Sequence, residues 1–129
     1  MARPEPGHYP APRRPIGAFV RGFGYAGSGV WYVIRTQRNM RVHLATAIGV
    51  IAAGVALRVS ATGWACLALA IGLVLTAEAF NTVVEIIADL WTTQTHPLAK
   101  AAKDAAAGAV LIASIAAVIV GFTIFIPRL

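Results

Sequence analysis

Three apolar runs limit this chain more than any other feature. The first covers about residues 42–57. The second starts at Trp64 and continues helically past Glu78. The third covers about residues 105–126 and ends at Pro127. A helix needs roughly 20 apolar residues to cross a bilayer, with a range of about 17–25. The third run meets that length outright. The first meets it if the segment before it feeds into it, and the second if Glu78 lies near the membrane boundary. Composition agrees: 58% of the residues are hydrophobic and 12% charged, against about half and a quarter in soluble domains, and the mean hydropathy is +0.72. With 129 residues there is room for one small domain. The expected fold is therefore an all-α membrane protein whose core packs helix on helix within lipid.

Charge gives the expected orientation. Net charge is +6, and seven of the eleven basic residues precede residue 42: Arg3, Arg13, Arg14, Arg21, Arg35, Arg38 and Arg41. Basic residues clustered before a first span mark the cytoplasmic side, so the N-terminus is placed inside. The connection "RVSATG" carries only Arg58 and falls outside. The turn "TTQTHPLAK", with Lys100 and then Lys103, falls inside, and the C-terminus outside. Topology and anionic headgroups account for this charge better than nucleic acid does. The single cysteine, Cys66, excludes an intrachain disulfide and reads as a small buried apolar residue.

Residues 1–15, "MARPEPGHYPAPRRP", hold five of the seven prolines. Each proline lacks an amide donor and has a fixed φ, which predicts a disordered cytoplasmic tail with no signal-peptide pattern. Residues 16–39 repeat apolar and aromatic side chains at helical spacing, Ile16, Phe19, Val20, Phe23, Val30, Trp31 and Ile34 among them. That predicts an amphipathic helix on the membrane surface, with Trp31 and Tyr32 at headgroup level. "GFGYAG" within it matches G-x-G-x-x-G. Without a preceding strand and a βαβ unit, that match does not indicate dinucleotide binding. Small residues there serve close helix packing. No P-loop pattern and no internal repeat are found.

The chemistry is concentrated in "EAFNTVVEIIAD", residues 78–89. Glu78, Asn81, Glu85 and Asp89 are spaced by three, four and four, which puts all four on one helix face. The opposite face carries Phe80, Val83, Val84 and Ile87. Asp89, and to a lesser degree Glu85, fit a solvated helix end. Glu78 does not, because apolar sequence continues on both sides of it. Ionisable groups at membrane depth serve ions, protons or catalysis. Asn81 fits either that site or a hydrogen bond to a neighbouring helix. Past the turn, "AKDAAAGA" brings Lys103 and Asp104, readable as an interface anchor with an acid at a helix N-terminus. Lys103 is also a cation within reach of the acidic stripe. Carboxylates, a lysine and a membrane boundary suit a Mg-nucleotide, whose phosphates complete the metal's shell. A deeper carboxylate can take a proton from an alcohol, and an alcohol at that depth belongs to a lipid. The residues alone also admit a small proton- or cation-coupled transporter.

These residues resemble the small bacterial integral-membrane diacylglycerol kinase family, nearest to its undecaprenol kinase branch, over about residues 18–126. Glu78, Asn81, Thr82, Glu85 and Asp89 match E-x-x-N-[ST]-x-x-E-x-x-x-D. "HPLAKAAKDAAAGAV" is similar to a second signature. "FGYAGSG" fits F-x-Y-A-x-x-G, and "TQRNMRVH" fits T-E-R-N-x-R-x-H except at Gln37. The resemblance implies a surface helix plus three spanning helices, a homotrimer, and sites near the cytoplasmic interface between protomers of a bacterial inner membrane protein. It implies an ATP- and Mg²⁺-dependent kinase acting on undecaprenol or diacylglycerol. Glu78 matches the catalytic base and Asn81 a residue that orients the reacting groups. Glu85 matches a carboxylate contacting metal and nucleotide. Tyr25, Asp89, Lys103 and Asp104 match nucleotide-site residues, and Asn39, Met40 and Arg41 lie where the family contacts its lipid. Gln37 stands where the family has a metal-holding glutamate. That swap implies weaker Mg²⁺ binding and leaves a catalytically weakened relative as an alternative. Gln94 is a second candidate swap.

Overall fold

The structure, a computed structural model, describes residues 15–92, 94 and 96–129. The proline-rich stretch read as a tail lies outside the described residues, apart from Pro15, which opens the first helix. The elements are α1 (Pro15–Thr36), α2 (Arg38–Ala56), α3 (Ala61–Trp91) and α4 (Pro97–Phe125), with a short 3-10 turn at Ile126–Arg128. The chain divides into two compact units, Met1–Tyr32 and Val33–Leu129.

In the first unit, α1 carries exposed aromatic side chains. The rings of Phe19 and Phe23 meet edge to face at 5.0 Å. Ser28 Oγ donates to the Gly24 carbonyl at 2.9 Å, which occupies the hydroxyl within the helix.

In the second unit, α3 packs along α4 and α2 packs on α3. The three are long and apolar enough to cross a membrane: Arg38–Ala56, Ala61–Trp91 and Pro97–Arg128 have mean hydropathies of 1.3, 1.9 and 2.8. Their apolar side chains face outward more than inward, as in Leu69, Leu73, Ile112 and Ile119. Lipid is as apolar as leucine, so outward apolar groups carry no cost there.

The turn between α2 and α3 is tight. Leu57 N–H donates to Ala53 O at 2.9 Å and Val59 N–H to Gly54 O at 3.0 Å, the carbonyl-satisfying pattern of a helix C-terminus. Arg58 sits in the left-handed region at φ 49°. Ser60 then caps α3, its Oγ accepting from Gly63 N–H at 3.3 Å. Beside this turn Val59, Leu67 and Ile124 form a buried cluster against Val50, Trp64, Val120 and Phe125. Gly54 lets the helices approach, since a Cβ there would lie 2.8 Å from the Trp64 ring.

Three sequence expectations change. Cys66, read as a buried residue, is exposed on α3. The N-terminal segment and the first span are separate helices. Gln37 interrupts them with extended backbone at φ −98° and ψ 120°, so Arg38 and Asn39 open α2 rather than closing a surface helix. The helix of the third run starts at Pro97, about two turns before Lys103 and Asp104, which the sequence reading puts at its start. Pro97 occupies the first helical position, where a missing amide costs nothing, and His96 Nδ1 caps it by accepting from Leu98 N–H at 3.2 Å. The alanines that follow propagate helix well.

Candidate functional site

Among the described residues, the buried polar side chains are Glu78, Asn81 and Thr82, with relative exposures of 1%, 5% and 0%. All three lie on one stretch of α3. Phe80, Val83 and Ile87 on the other face are exposed. The polar stripe therefore points inward and the apolar one outward, the reverse of a helix on a soluble domain.

Two of the three are partly accounted for. Thr82 Oγ1 donates to the Glu78 carbonyl at 3.0 Å. Asn81 Nδ2 donates to Glu85 Oε1 at 3.1 Å, so Asn81 bonds within its own helix rather than to a neighbour. That bond also fixes the amide: with its nitrogen turned to Glu85, its oxygen points elsewhere. Asn81 Oδ1 and Glu78 Oε2 are both buried without a hydrogen-bond partner. An unmet buried acceptor costs about 1–3 kcal/mol. Two of them three residues apart make a place where a donor or a cation would bind favourably.

Toward the α3–α4 turn the stripe continues through half-buried Glu85 to exposed Asp89. Lys103 on α4 reaches back across the turn to Asp89, Nζ to Oδ1 at 2.5 Å. Asp104 turns instead to Lys100, one helical turn earlier, at 2.5 Å. A cleft of about 810 Å³ opens here, lined by Asp89, Thr92, Gln94, His96, Lys100 and Lys103 among others. The lysines and His96 suit anionic groups, and the Gln94 side chain offers both a donor and an acceptor.

Gln37 sits just before α2, half-buried, with its side chain making no capping hydrogen bond. Of the next residues, Asn39 is exposed, Met40 is buried, and Arg41 is exposed with Nη1 donating to the Arg35 carbonyl at 3.0 Å. Tyr25 belongs to the first unit, where it is exposed. The structure thus gathers Glu78, Asn81 and Glu85 on α3 and joins Asp89 to Lys103, while Asp104 pairs outside that group.

Among the described residues no three His, Cys, Asp or Glu side chains gather as a metal cage. Mg²⁺ does not need one: it is held by one or two carboxylates while phosphates and water fill its remaining positions. The hard oxygens of Glu85 and the unpaired Asn81 Oδ1 fit such a partial donor set.

Sequence reasoning gave no role to His43 or His96. His43 is half-buried on α2 and lines a cleft of about 330 Å³ with Val74 and Leu75 of α3. The signal for His43 was available in the motif "TQRNMRVH". For His96 it was the histidine directly before a proline that opens a helix.

A model of the prokaryotic diacylglycerol kinase family matches residues 24–125. The chain is 42% identical over 117 residues to the undecaprenol kinase of Bacillus subtilis (strain 168), covering 91% of this chain and 95% of that one. It is 50% identical over 108 residues to the diacylglycerol kinase of Synechocystis sp., covering 83% of this chain and 62% of that protein's length.

Proposed function

The chain belongs to the prokaryotic diacylglycerol kinase family, and from that premise we propose that it moves the γ-phosphate of ATP onto the hydroxyl of undecaprenol or diacylglycerol. The products would be undecaprenyl phosphate or phosphatidic acid. That it is a lipid kinase, a phosphotransferase acting on an alcohol, follows from the family. The phosphate donor, the acceptor and the roles of individual residues are proposed.

One observation carries the residue assignment: the paired unpartnered oxygens of Glu78 and Asn81, buried in a helix otherwise fit for lipid. Glu78 takes the proton of the lipid hydroxyl as that oxygen attacks the γ-phosphorus. Asn81, its amide held by Glu85, orients the reacting groups. Glu85, with Gln37, would hold Mg²⁺, which when bound neutralises charge on the phosphate oxygens. Asp89, Lys103, Asp104 and Tyr25 would contact the nucleotide, and Asn39, Met40 and Arg41 the lipid. The cleft at the α3–α4 turn is large enough for a nucleotide's phosphates and carries the lysines that suit them. Phosphoryl transfer demands positioning and charge stabilisation more than covalent chemistry, and this set supplies both.

The reading extends to assembly and place. α1 would lie on the inner surface of a bacterial cytoplasmic membrane, with the N-terminus and the α3–α4 turn on the cytoplasmic side. Three chains would form a homotrimer with sites near the interfaces between protomers.

The test is purified protein in detergent or lipid, given radiolabelled ATP and a panel of lipid alcohols. Label in undecaprenyl phosphate or phosphatidic acid, lost on adding EDTA, is the expected outcome. Absence of labelled lipid with every acceptor would overturn the proposal.

A further inference from the structure

We infer that the cleft between α2, α3 and α4 receives the single hydrocarbon chain of a polyprenol, so that undecaprenol is taken in preference to the two-chain diacylglycerol. This rests on the reading of the protein as a kinase of these lipids with Glu78 as base.

The cleft, of about 330 Å³, has one polar end. A Cβ on Gly54 of α2 would touch Trp64 of α3, and one on Gly63 of α3 would lie 3.7 Å from Ile124 of α4. Both neighbours run antiparallel to α3, so these contacts set the levels along the bundle. His43, eleven residues before Gly54, is level with Leu75, eleven after Trp64. Ser114, ten before Ile124, is level with Leu73, ten after Gly63. The polar side chains of the wall, His43, Thr46 and Ser114, therefore gather at one end, while Val50, Leu67 and Phe125 lie towards the other.

The polar end is the one nearer the site. Val74 lines the cleft, and Glu78 is one turn further along the same face of α3, about 6 Å up the axis. An alcohol whose chain lies in the cleft thus brings its hydroxyl towards Glu78 through a polar mouth.

Size decides what fits. Residues 67–75 cover about 12 Å of α3, and residues 114–125 about 16 Å of α4, at about 1.5 Å per residue. A helix from a second chain, about 10 Å across, would need about 900 Å³ over 12 Å. That is well beyond the 330 Å³ present. At about 30 Å³ for a small group, a water's share of liquid, the cleft holds about eleven of them. Eleven chain carbons, extended, reach about 14 Å by standard bond lengths. Volume and length therefore agree on one extended chain, and a second chain beside it would double the volume needed. The wall also leaves room for methyl branches. Ala47, Ala70, Ala117 and Gly121 line it, and a Cβ on Gly121 would meet nothing within 4 Å. A polyprenol is one methyl-branched chain ending in a hydroxyl, whereas diacylglycerol carries two chains on one head.

The test measures phosphorylation of undecaprenol and of dioleoylglycerol, each over a range of mole fractions in mixed micelles, with labelled ATP. Wild type should show a kcat/KM at least about 10-fold higher for undecaprenol, the worth of roughly two buried methylene groups. Gly121→Leu and Ala117→Leu fill the cleft. Each should raise KM for undecaprenol by about 10-fold or more and erase the preference, with KM for ATP unchanged. Ile119→Ala, on the exposed face of α4, should change none of these. Equal or better use of dioleoylglycerol by wild type would overturn the inference. So would an unchanged KM for undecaprenol in the cleft variants, the result if an ordinary membrane lipid fills the cleft. Loss of wild-type assembly in both variants, read by size-exclusion chromatography, would also overturn it, because the cleft would then be a contact with a second chain. Where only one variant fails to assemble, the other decides. If wild type labels neither lipid, the kinase reading itself falls, so the two failures are distinct.

Discussion

At the scale of single residues, Glu78 and Gln37 carry opposite predictions. Glu78→Gln keeps the size and burial of the side chain and removes its basicity. The variant should fold and assemble as wild type by size-exclusion chromatography while losing lipid phosphorylation by roughly 100- to 10,000-fold. Residual turnover near the wild-type rate would refute the base role. At Gln37 an amide carbonyl stands where a carboxylate would bring a full charge to a hard cation. Gln37→Glu should therefore lower the Mg²⁺ concentration for half-maximal activity, and superimposable titrations would sink that idea. The spacing of Glu78, Asn81, Glu85 and Asp89 made the stripe legible in the sequence, because helical period alone puts them on one face. The hydrogen bond from Asn81 to Glu85 was not legible. An asparagine has several partners within reach, and only the three-dimensional surroundings select one.

At the scale of elements, the apolar runs announced three spans and the structure has three such helices. What the sequence misplaced was ends. The start of α4 at Pro97 depends on a histidine cap, and the break at Gln37 on backbone angles, neither of which hydropathy records. The turn between α2 and α3 shows how tightly an end can be set. Arg58 holds φ 49°, a conformation that costs a non-glycine residue roughly 1–2 kcal/mol. Arg58→Gly removes that penalty at the position where glycine most often ends a helix. The prediction is a gain of about 1 kcal/mol in unfolding free energy, read from reversible denaturation in mixed micelles, with activity intact because the turn lies at the far end of α3 from Glu85 and Asp89. A loss of stability would show that the guanidinium makes contacts outweighing the strain.

At the scale of the whole molecule, the outward face of one chain raises the question of what surrounds it. Only 11%, 28% and 17% of the three apolar spans are buried inside the chain. Lipid covers leucine and phenylalanine as well as another helix does, so the apolar surface alone calls for no partner. The carboxylates do. Glu85 is half-buried and the Asp89 side chain is 68% exposed, even with Lys103 paired to it. An acidic side chain facing lipid costs about 2.5–3.5 kcal/mol at the centre of a span, and less toward its end. Water at the boundary relieves Asp89 without help, whereas Glu85, a turn deeper, gains most from a polar neighbour on a second chain. The proposed homotrimer would supply such a neighbour and would make the site a joint product of two protomers. Two inactive variants altered in different units then become complementary. Glu78→Gln and Tyr25→Ala should each be inactive alone. Unfolded together and reconstituted as mixed assemblies, they should recover measurable lipid kinase activity, because some interfaces would pair an intact Glu78 with an intact Tyr25 from the other chain. If each chain completes its own site, mixing restores nothing, since neither variant contains both residues.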